Sequence, residues 1–408
     1  MRHFPDFLNA YLTYAKDDYC PDKFHFWTGV SLIAGALERK VWYSLPKGKA
    51  LFPNLYLLLV ATPGIGKSTA GDRGVFDFLR AVRYDGKGIN FIPSQFTEAA
   101  LITAMNHRKR FSLGSEEYFQ TSSYLYASEA SNTLKEIKGG GSPLPLITDV
   151  YDCGELWSKI TQMHGLVEMR EVCFNLLGCC TFSFLNNLVP EKEVMGGFAS
   201  RLLYIVQDEV LIRTPQLGGG VDEDPVLKRK LIEDLQHIHL LAGRFSRSPE
   251  ADQAYLEWFP KHDRKVQELS SERMQSFLAR KHTNILKLAM VCSVSESDSL
   301  RIELRHWDRA LSLFEEIEKK LPRIIGESYG RDSQDGVNRK IMEVMKGKGG
   351  QVNAGELRRT LLFGKGIESK RFNTTLDEMV RSGILILGTA GNPPQTVYRI
   401  GVDMEKDS

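Results

Sequence analysis

In the run NLYLLLVATPGIGKSTA, residues 54–70, two glycines, a lysine and a hydroxyl stand in the spacing G-x-x-x-x-G-K-[ST], with Ala61 where the first glycine usually stands. These residue types suit one task, the cradling of a polyphosphate. Gly64 and Gly66 let the backbone turn its N–H groups towards an anion, while Thr62, Pro63 and Ile65 complete the loop. Lys67 is then placed to reach the β- and γ-phosphates, and the Ser68 hydroxyl to complete a Mg2+ shell. Thr69 follows as a helix residue with no chemistry of its own, and the positive end of that helix adds to the attraction. The chemistry expected of this stretch is binding of ATP with Mg2+.

Such a loop needs a strand before it and a helix after it. Residues 54–60 are continuously apolar, as in a strand buried on both faces of a parallel sheet, and 70–83 read as the helix. A second strand is expected over 89–93, followed by a helix over 98–106 capped by Thr97. A third apolar strand, 124–127, stops at Ser128-Glu129, where such ATPases carry the acidic pair that holds Mg2+ and polarises the attacking water. Glu129 is the candidate for both tasks, with Ser128 in place of the usual aspartate. Its rival is Asp149, at the end of LPLITD, although Pro143 and Pro145 argue against a central strand there. A surface glutamate opening a helix is the plainer alternative.

Residues 157–181 read as two extended stretches around His164-Gly165, the second leading into a buried strand that ends at Thr181. A hairpin at this point makes Lys159, His164 and Arg170 candidates to meet a nucleic-acid phosphate backbone, the alternative being an ordinary surface hairpin. Thr181 is placed to sense the γ-phosphate or the water. In GGFASRLLYIV, Arg201 stands between a glycine-rich turn and a strand, where it can act as a finger on the ATP of a neighbouring subunit.

At 408 residues the chain holds two or three domains, and 42% apolar with 25% charged residues is ordinary globular composition. The net charge of +2 gives no general attraction for nucleic acid, so any such binding must come from local patches. The six cysteines include no C-x-x-C pair and read as reduced core thiols. No apolar run approaches the ~18–20 residues of a membrane span and the first residues lack signal-peptide order, so an intracellular location is expected.

Four regions follow: a helical N-terminal segment (1–50), with a basic hairpin or nucleic-acid contact at 38–49; an ATPase core (51–215); an all-helical lid (226–325), and a tail (337–403). The stretches 216–225 and 326–336 are linkers by composition. Arg280 in the lid is a candidate to reach back to the phosphates. The tail runs helix, strand, helix, helix, strand, strand, which is the order of a winged helix, with Ser369, Lys370, Arg371, Asn373 and Thr374 on its third helix and Arg358, Arg359 and Lys365 just before it. Basic residues outnumber acidic ones there, which suits a DNA phosphate surface, though such domains also bind proteins. The fold class expected is α/β, a P-loop NTPase core with a parallel sheet, of either AAA+ or RecA-like type.

The chain resembles a family of phage-encoded replication ATPases, described as DNA helicases or helicase-primase components. The resemblance lies in residues 24–42, 53–68, 148–157, 175–181 and 196–206, within the first two thirds of the chain. Its order of parts is also similar to minichromosome maintenance type AAA+ motors, in which a Walker B glutamate is followed by a hairpin, a sensor strand, a finger, a helical lid and a winged helix. The resemblance implies a replicative DNA helicase; a hexamer in the host cytoplasm is expected, with a primase or another replication protein as a further partner. It supports Glu129, Thr181, Arg201 and Arg280 in the roles given above. An ATP-switched loader or initiator that grips DNA or protein without unwinding is the alternative function. A metabolic kinase is disfavoured by the size of the lid and the winged-helix order.

Overall fold

The computed structural model describes residues 2–16, 20–84, 86–134, 142–161, 165–188, 197–207, 224–269, 271–322, 324, 334–364, 369–390 and 394–401. His164, Lys365 and most of both linkers lie outside the described residues. The chain divides into two units, Met1–Leu321 and Pro322–Ser408. Together they form a mixed α/β structure with parallel sheets.

In the larger unit, helix α1 (Phe7–Ala15) is capped by Asp6, whose carboxylate accepts the N–H groups of Leu8 and Asn9. Helix α2 (Asp22–Leu37) is buried without a break from Trp27 to Leu37. A helix apolar on every face must be a core element, and α2 packs directly on the sheet. Ser31 on α2 and Tyr124 in the sheet share a hydrogen bond of 2.6 Å.

The strands in chain order are β1 (Val41–Ser44), β2 (Ala50–Leu51), β3 (Tyr56–Val60), the small ladder β4 (Arg83–Tyr84) and β5 (Lys87–Gly88), β6 (Phe91–Ile92), β7 (Lys109–Leu113) and β8 (Glu116–Ala127). They continue as β9 (Leu156–Thr161), β10 (Gly165–Arg170), β11 (Val172–Cys180), β12 (Leu202–Val206), β13 (Gly243–Arg247) and β14 (Arg301–Ile302). The central sheet has the order β12-β3-β11-β8-β6, with every neighbour in it parallel, and β7 is added antiparallel to β8. Strands β3, β11 and β12 are buried at every position, as parallel strands covered on both faces must be. Val60 pairs with both Cys180 and Val206, so three strands end level.

Several expectations need correction. The helix after the loop starts at Lys67 as expected, but α3 proper is only Lys67–Asp72; the rest of the stretch widens into a π-helical turn, Arg73–Phe78, and closes in a 3-10 turn, Leu79–Ala81. Residues 98–105 form α4 (Glu98–Met105), capped by Thr97 as expected. The stretch LPLITDV is a helix, not a strand. Short α5 (Ala130–Thr133) precedes it, it forms α6 (Leu144–Val150), and Phe182–Leu188 forms α7. Proline in the first helical turn is tolerated because the N–H it lacks has no helical partner there.

The expected helical lid contains two strands: β14 falls in LRIEL, 300–304, which reads as a short extended stretch, whereas β13 is not expected from the sequence. β13 runs parallel to β1 with Val41 opposite Gly243, and β14 runs parallel to β13, so the segment after α2 and the lid region share a sheet in the order β14-β13-β1-β2. The helix Pro225–Leu240 packs on α1 and α2, and Lys281–Glu296 packs on both as well. What reads as one helix over 272–293 is two, Glu272–Ala279 and Lys281–Glu296, joined at Arg280.

A buried ionic cluster ties these parts together. Glu38, at the end of α2, accepts from Lys109 Nζ on β7 at 2.7 Å and from Gln120 Nε2 on β8 at 2.7 Å, with Lys40 Nζ 3.9 Å away. Lys40 Nζ also lies 2.8 Å from His239 Nδ1 and donates to the His239 carbonyl. Burial, reinforced by the Lys40 charge, holds His239 down to about 4. The unfolded chain therefore takes up a proton near pH 6.5 that the folded chain refuses, so stability is lost as pH falls from about 6.5 to about 4. Chemical denaturation over that range should show a loss of order 3 kcal/mol, reduced in His239→Gln.

The smaller unit has the helices Gln334–Gly347, Ala354–Arg358, widening through Arg359–Gly364, and Ser369–Arg381. Its strands β15 (Gln351–Asn353), β16 (Leu385–Ala390) and β17 (Gln395–Ile400) form an antiparallel sheet in the order β15-β17-β16. Val337, Ile341 and Met345 from the first helix and Phe372, Leu376 and Met379 from the last meet in one core, each set at helical spacing. Among the described residues of the whole chain, no helix is long and apolar enough to cross a membrane.

Candidate functional site

The glycine loop hangs between β3 and α3. Ala61 N–H donates to the Cys180 carbonyl at 3.4 Å, which fixes the start of the loop against the end of β11. Gly64 and Gly66 then take φ of 80° and 79°, a left-handed conformation that a side chain would oppose. Ala61 and Ile65 are buried and anchor the loop, whereas Thr62, Pro63, Gly64, Ser68 and Thr69 are exposed along its outer side. Lys67 Nζ donates to the carbonyls of Ala61 at 3.1 Å and Thr62 at 2.9 Å, so the ammonium is folded back over its own loop. Partial burial lowers its pKa from the ordinary lysine value, opposed by Cys179, Cys180 and Glu129.

Glu129 follows directly on the end of β8, where Ala127 pairs with Gly178 of β11. It is exposed, opens α5, and makes no capping bond with its side chain. Ser128 beside it is half-buried. Thr181 comes next after Cys180 on β11, its Oγ1 2.9 Å from Ser183 Oγ. Because β11 lies between β3 and β8, Lys67, Ser68, Glu129 and Thr181 all gather at the C-terminal edge of one sheet. Asp149 does not: its helix is tied by Tyr56 Oη donating to the Ile147 carbonyl at 2.7 Å, and Tyr56 begins β3 at the other end.

Arg201 also stands at that other edge. It precedes Leu202, which pairs with Tyr56, so the length of β3 separates it from the Lys67 loop, roughly 15–20 Å. Arg280 is there too, its Nη1 3.6 Å from Asp152, the same carboxylate that meets Arg201 Nη2 at 3.0 Å. Arg280 thus stands away from the Lys67 loop of its own chain. Sequence reasoning also passed over Asp152, and with it Tyr151, Asn54 and Lys287, which pack beneath the two arginines. Lys287 Nζ donates to Asn54 Oδ1 at 2.8 Å, and Asn54 Nδ2 donates to the Tyr151 carbonyl at 2.9 Å. The acidic-aromatic pair Tyr151-Asp152 was the available signal.

The expected hairpin is present as β9 and β10, paired antiparallel with Leu166 opposite Ile160. Its cations are engaged: Lys159 Nζ lies 2.6 Å from Glu98, and Arg170 lies 3.5 Å from Glu168. Exposed along it are the apolar Leu156, Ile160 (79%) and Leu166 (62%), beside the polar Ser158, Glu168 and Arg170. In the smaller unit Lys370 and Arg371 fall on the helix Ser369–Arg381.

The donor set near the loop, a serine hydroxyl and a carboxylate, consists of hard oxygens of the kind Mg2+ takes alongside phosphate and water. The chain matches no protein-family model, and no curated protein is similar to it in sequence.

Proposed function

We propose that this chain is a Mg2+-dependent ATPase that moves along or unwinds DNA as an oligomer, a hexamer in the motors it resembles. One observation carries the reading: a two-glycine loop in left-handed conformation joins a fully buried parallel strand to a helix, and its Lys67 and Ser68 share a sheet edge with Glu129. In this reading the central sheet is a P-loop core. The hairpin β9–β10 between the Glu129 strand and β11 supports the AAA+ type, with the order of parts seen in minichromosome maintenance motors.

Lys67 exchanges its two loop carbonyls for β- and γ-phosphate oxygens. Ser68 and Glu129 would hold Mg2+, which would neutralise charge on the phosphates. Glu129 orients the attacking water, and the Thr181 hydroxyl contacts that water or the γ-phosphate. Arg201 acts on the ATP of a neighbouring copy, because within its own chain it stands at the wrong end of β3. The smaller unit, three helices on a three-stranded antiparallel sheet, supports a winged helix that meets DNA through the helix bearing Lys370 and Arg371.

The test is ATPase rate and particle size with and without single-stranded DNA. Stimulation together with growth in size is expected; if the protein neither hydrolyses ATP nor self-associates on DNA, the motor reading is abandoned. Arg201→Ala is expected to cut turnover by about 10^2–10^3 while leaving ATP binding intact. Mixing it with Lys67→Ala protein should restore part of the activity, since each variant supplies what the other lacks. Full turnover by monomeric Arg201→Ala protein would exclude the finger.

The paired state of Lys159 and Arg170 favours a second reading, an ATP-switched loader or initiator that does not unwind. Strand displacement on a forked duplex separates the two, since a loader would show DNA-stimulated ATPase without displacement.

A further inference from the structure

The sheet edge opposite the Lys67 loop carries its own concentration of charge. Arg201 and Arg280 both lie over the Tyr151 ring, their guanidinium carbons 5.6 and 6.0 Å from its centroid. Lys287 Nζ is 3.9 Å from the same centroid but is already committed to Asn54. Among the described residues the carboxylate that the two arginines share is Asp152, with Oδ2 3.0 Å from Arg201 Nη2 and Oδ1 3.6 Å from Arg280 Nη1.

These groups differ sharply in exposure. The Arg201 side chain is 11% exposed and that of Arg280 30%, against 60% for Asp152. Arg201 Nη1 is further fixed by the Gly197 carbonyl at 2.8 Å, and its buried Nε has no hydrogen-bond partner among the described residues. The guanidiniums are thus held by packing, while their counter-ion faces water. Ion pairs with so exposed a carboxylate are weak. A triphosphate offers more charge and more acceptor oxygens in the geometry that guanidinium binds in pairs.

We propose that Asp152 is a resident stand-in for phosphate: it bridges Arg201 and Arg280 in the isolated chain and yields its place to the triphosphate held by the Lys67 loop of a second copy. This rests on the ATPase reading given above. Asp152 is then a positioning residue with two consequences. It keeps both guanidiniums together and aimed at one anion position, and it makes association depend on nucleotide. A neighbouring loop without triphosphate offers the arginines nothing better than Asp152, whereas a loaded one does.

Inorganic tripolyphosphate tests this directly. Binding is measured by calorimetry in a Lys67→Ala background, which disables the chain's own loop. Adding Asp152→Asn is expected to tighten binding about five- to tenfold, and adding Arg201→Ala to that pair is expected to abolish the gain. Unchanged or weaker binding in the Lys67→Ala, Asp152→Asn protein overturns the proposal. A second readout uses Asp152→Asn alone: the protein concentration for half-maximal ATPase should fall. A drop in turnover at every concentration, as for Arg201→Ala, would leave Asp152 with orientation as its only role and overturn the proposal. Should the unaltered protein hydrolyse no ATP, the ATPase reading fails, and the tripolyphosphate comparison still decides whether Asp152 occupies an anion position.

Discussion

Lys67→Ala should bring Mg2+-dependent ATP hydrolysis to background, a loss of about 10^3-fold or more. The lysine is the only cation within the glycine loop, and its ammonium already stands over that loop on the Ala61 and Thr62 carbonyls. Removing it takes away the charge that meets the β- and γ-phosphates both in the bound state and as negative charge shifts during cleavage, so binding and turnover should fall together. The fold should be untouched, because the two bonds lost are local to the loop and the side chain is half-exposed. Measuring nucleotide binding, turnover and the denaturation midpoint on one preparation separates these effects. A variant that still hydrolyses ATP at near the original rate would remove the glycine loop from the chemistry.

Glu38→Ala should cost the larger unit about 3–5 kcal/mol, the largest stability loss expected of any single charge. Lys40 and Lys109 have side chains only 7% exposed, and Glu38 is the carboxylate that both face. Burial pushes the Glu38 pKa up, but Lys40 and Lys109 outweigh it and hold the carboxyl ionised below the usual glutamate range. Burial likewise lowers Lys40 to about 8 despite the glutamate beside it. Without that anion, Lys40 would shed its proton near neutral pH or remain charged and unpaired, and either outcome favours the unfolded chain. Denaturant titration at pH 7 measures the loss. A change below about 1 kcal/mol would mean that water reaches the two lysines and the cluster is not dry.

What the sequence disclosed and what it withheld divide along distance in the chain. The buried strand β3, the loop and the helix after it are contiguous, so their order was legible from residue types and spacing alone. The place of Glu129, just past an apolar strand, was legible in the same way. For Asp149 the two prolines spoke against a central strand, but that the stretch is instead a helix with proline in its first turn is a matter of backbone geometry that the apolar run does not reveal. The ladder of β1 with β13 joins residues about two hundred positions apart, and neither strand carries a pattern that names its partner. Asp152 went unnoticed for a similar reason, since its importance comes from Arg201 and Arg280, which reach it from elsewhere in the chain. The six cysteines, expected to be reduced core thiols, are all buried and none forms a disulfide.

The parallel ladder between β1 and β13 governs how the protein can be dissected. An excised fragment covering only 51–215 would lose α2 from beneath its sheet and leave the Lys109 ammonium facing no glutamate, so it should be recovered as aggregate. Recombinant pieces intended for biochemistry must therefore run from the first helix through Leu321.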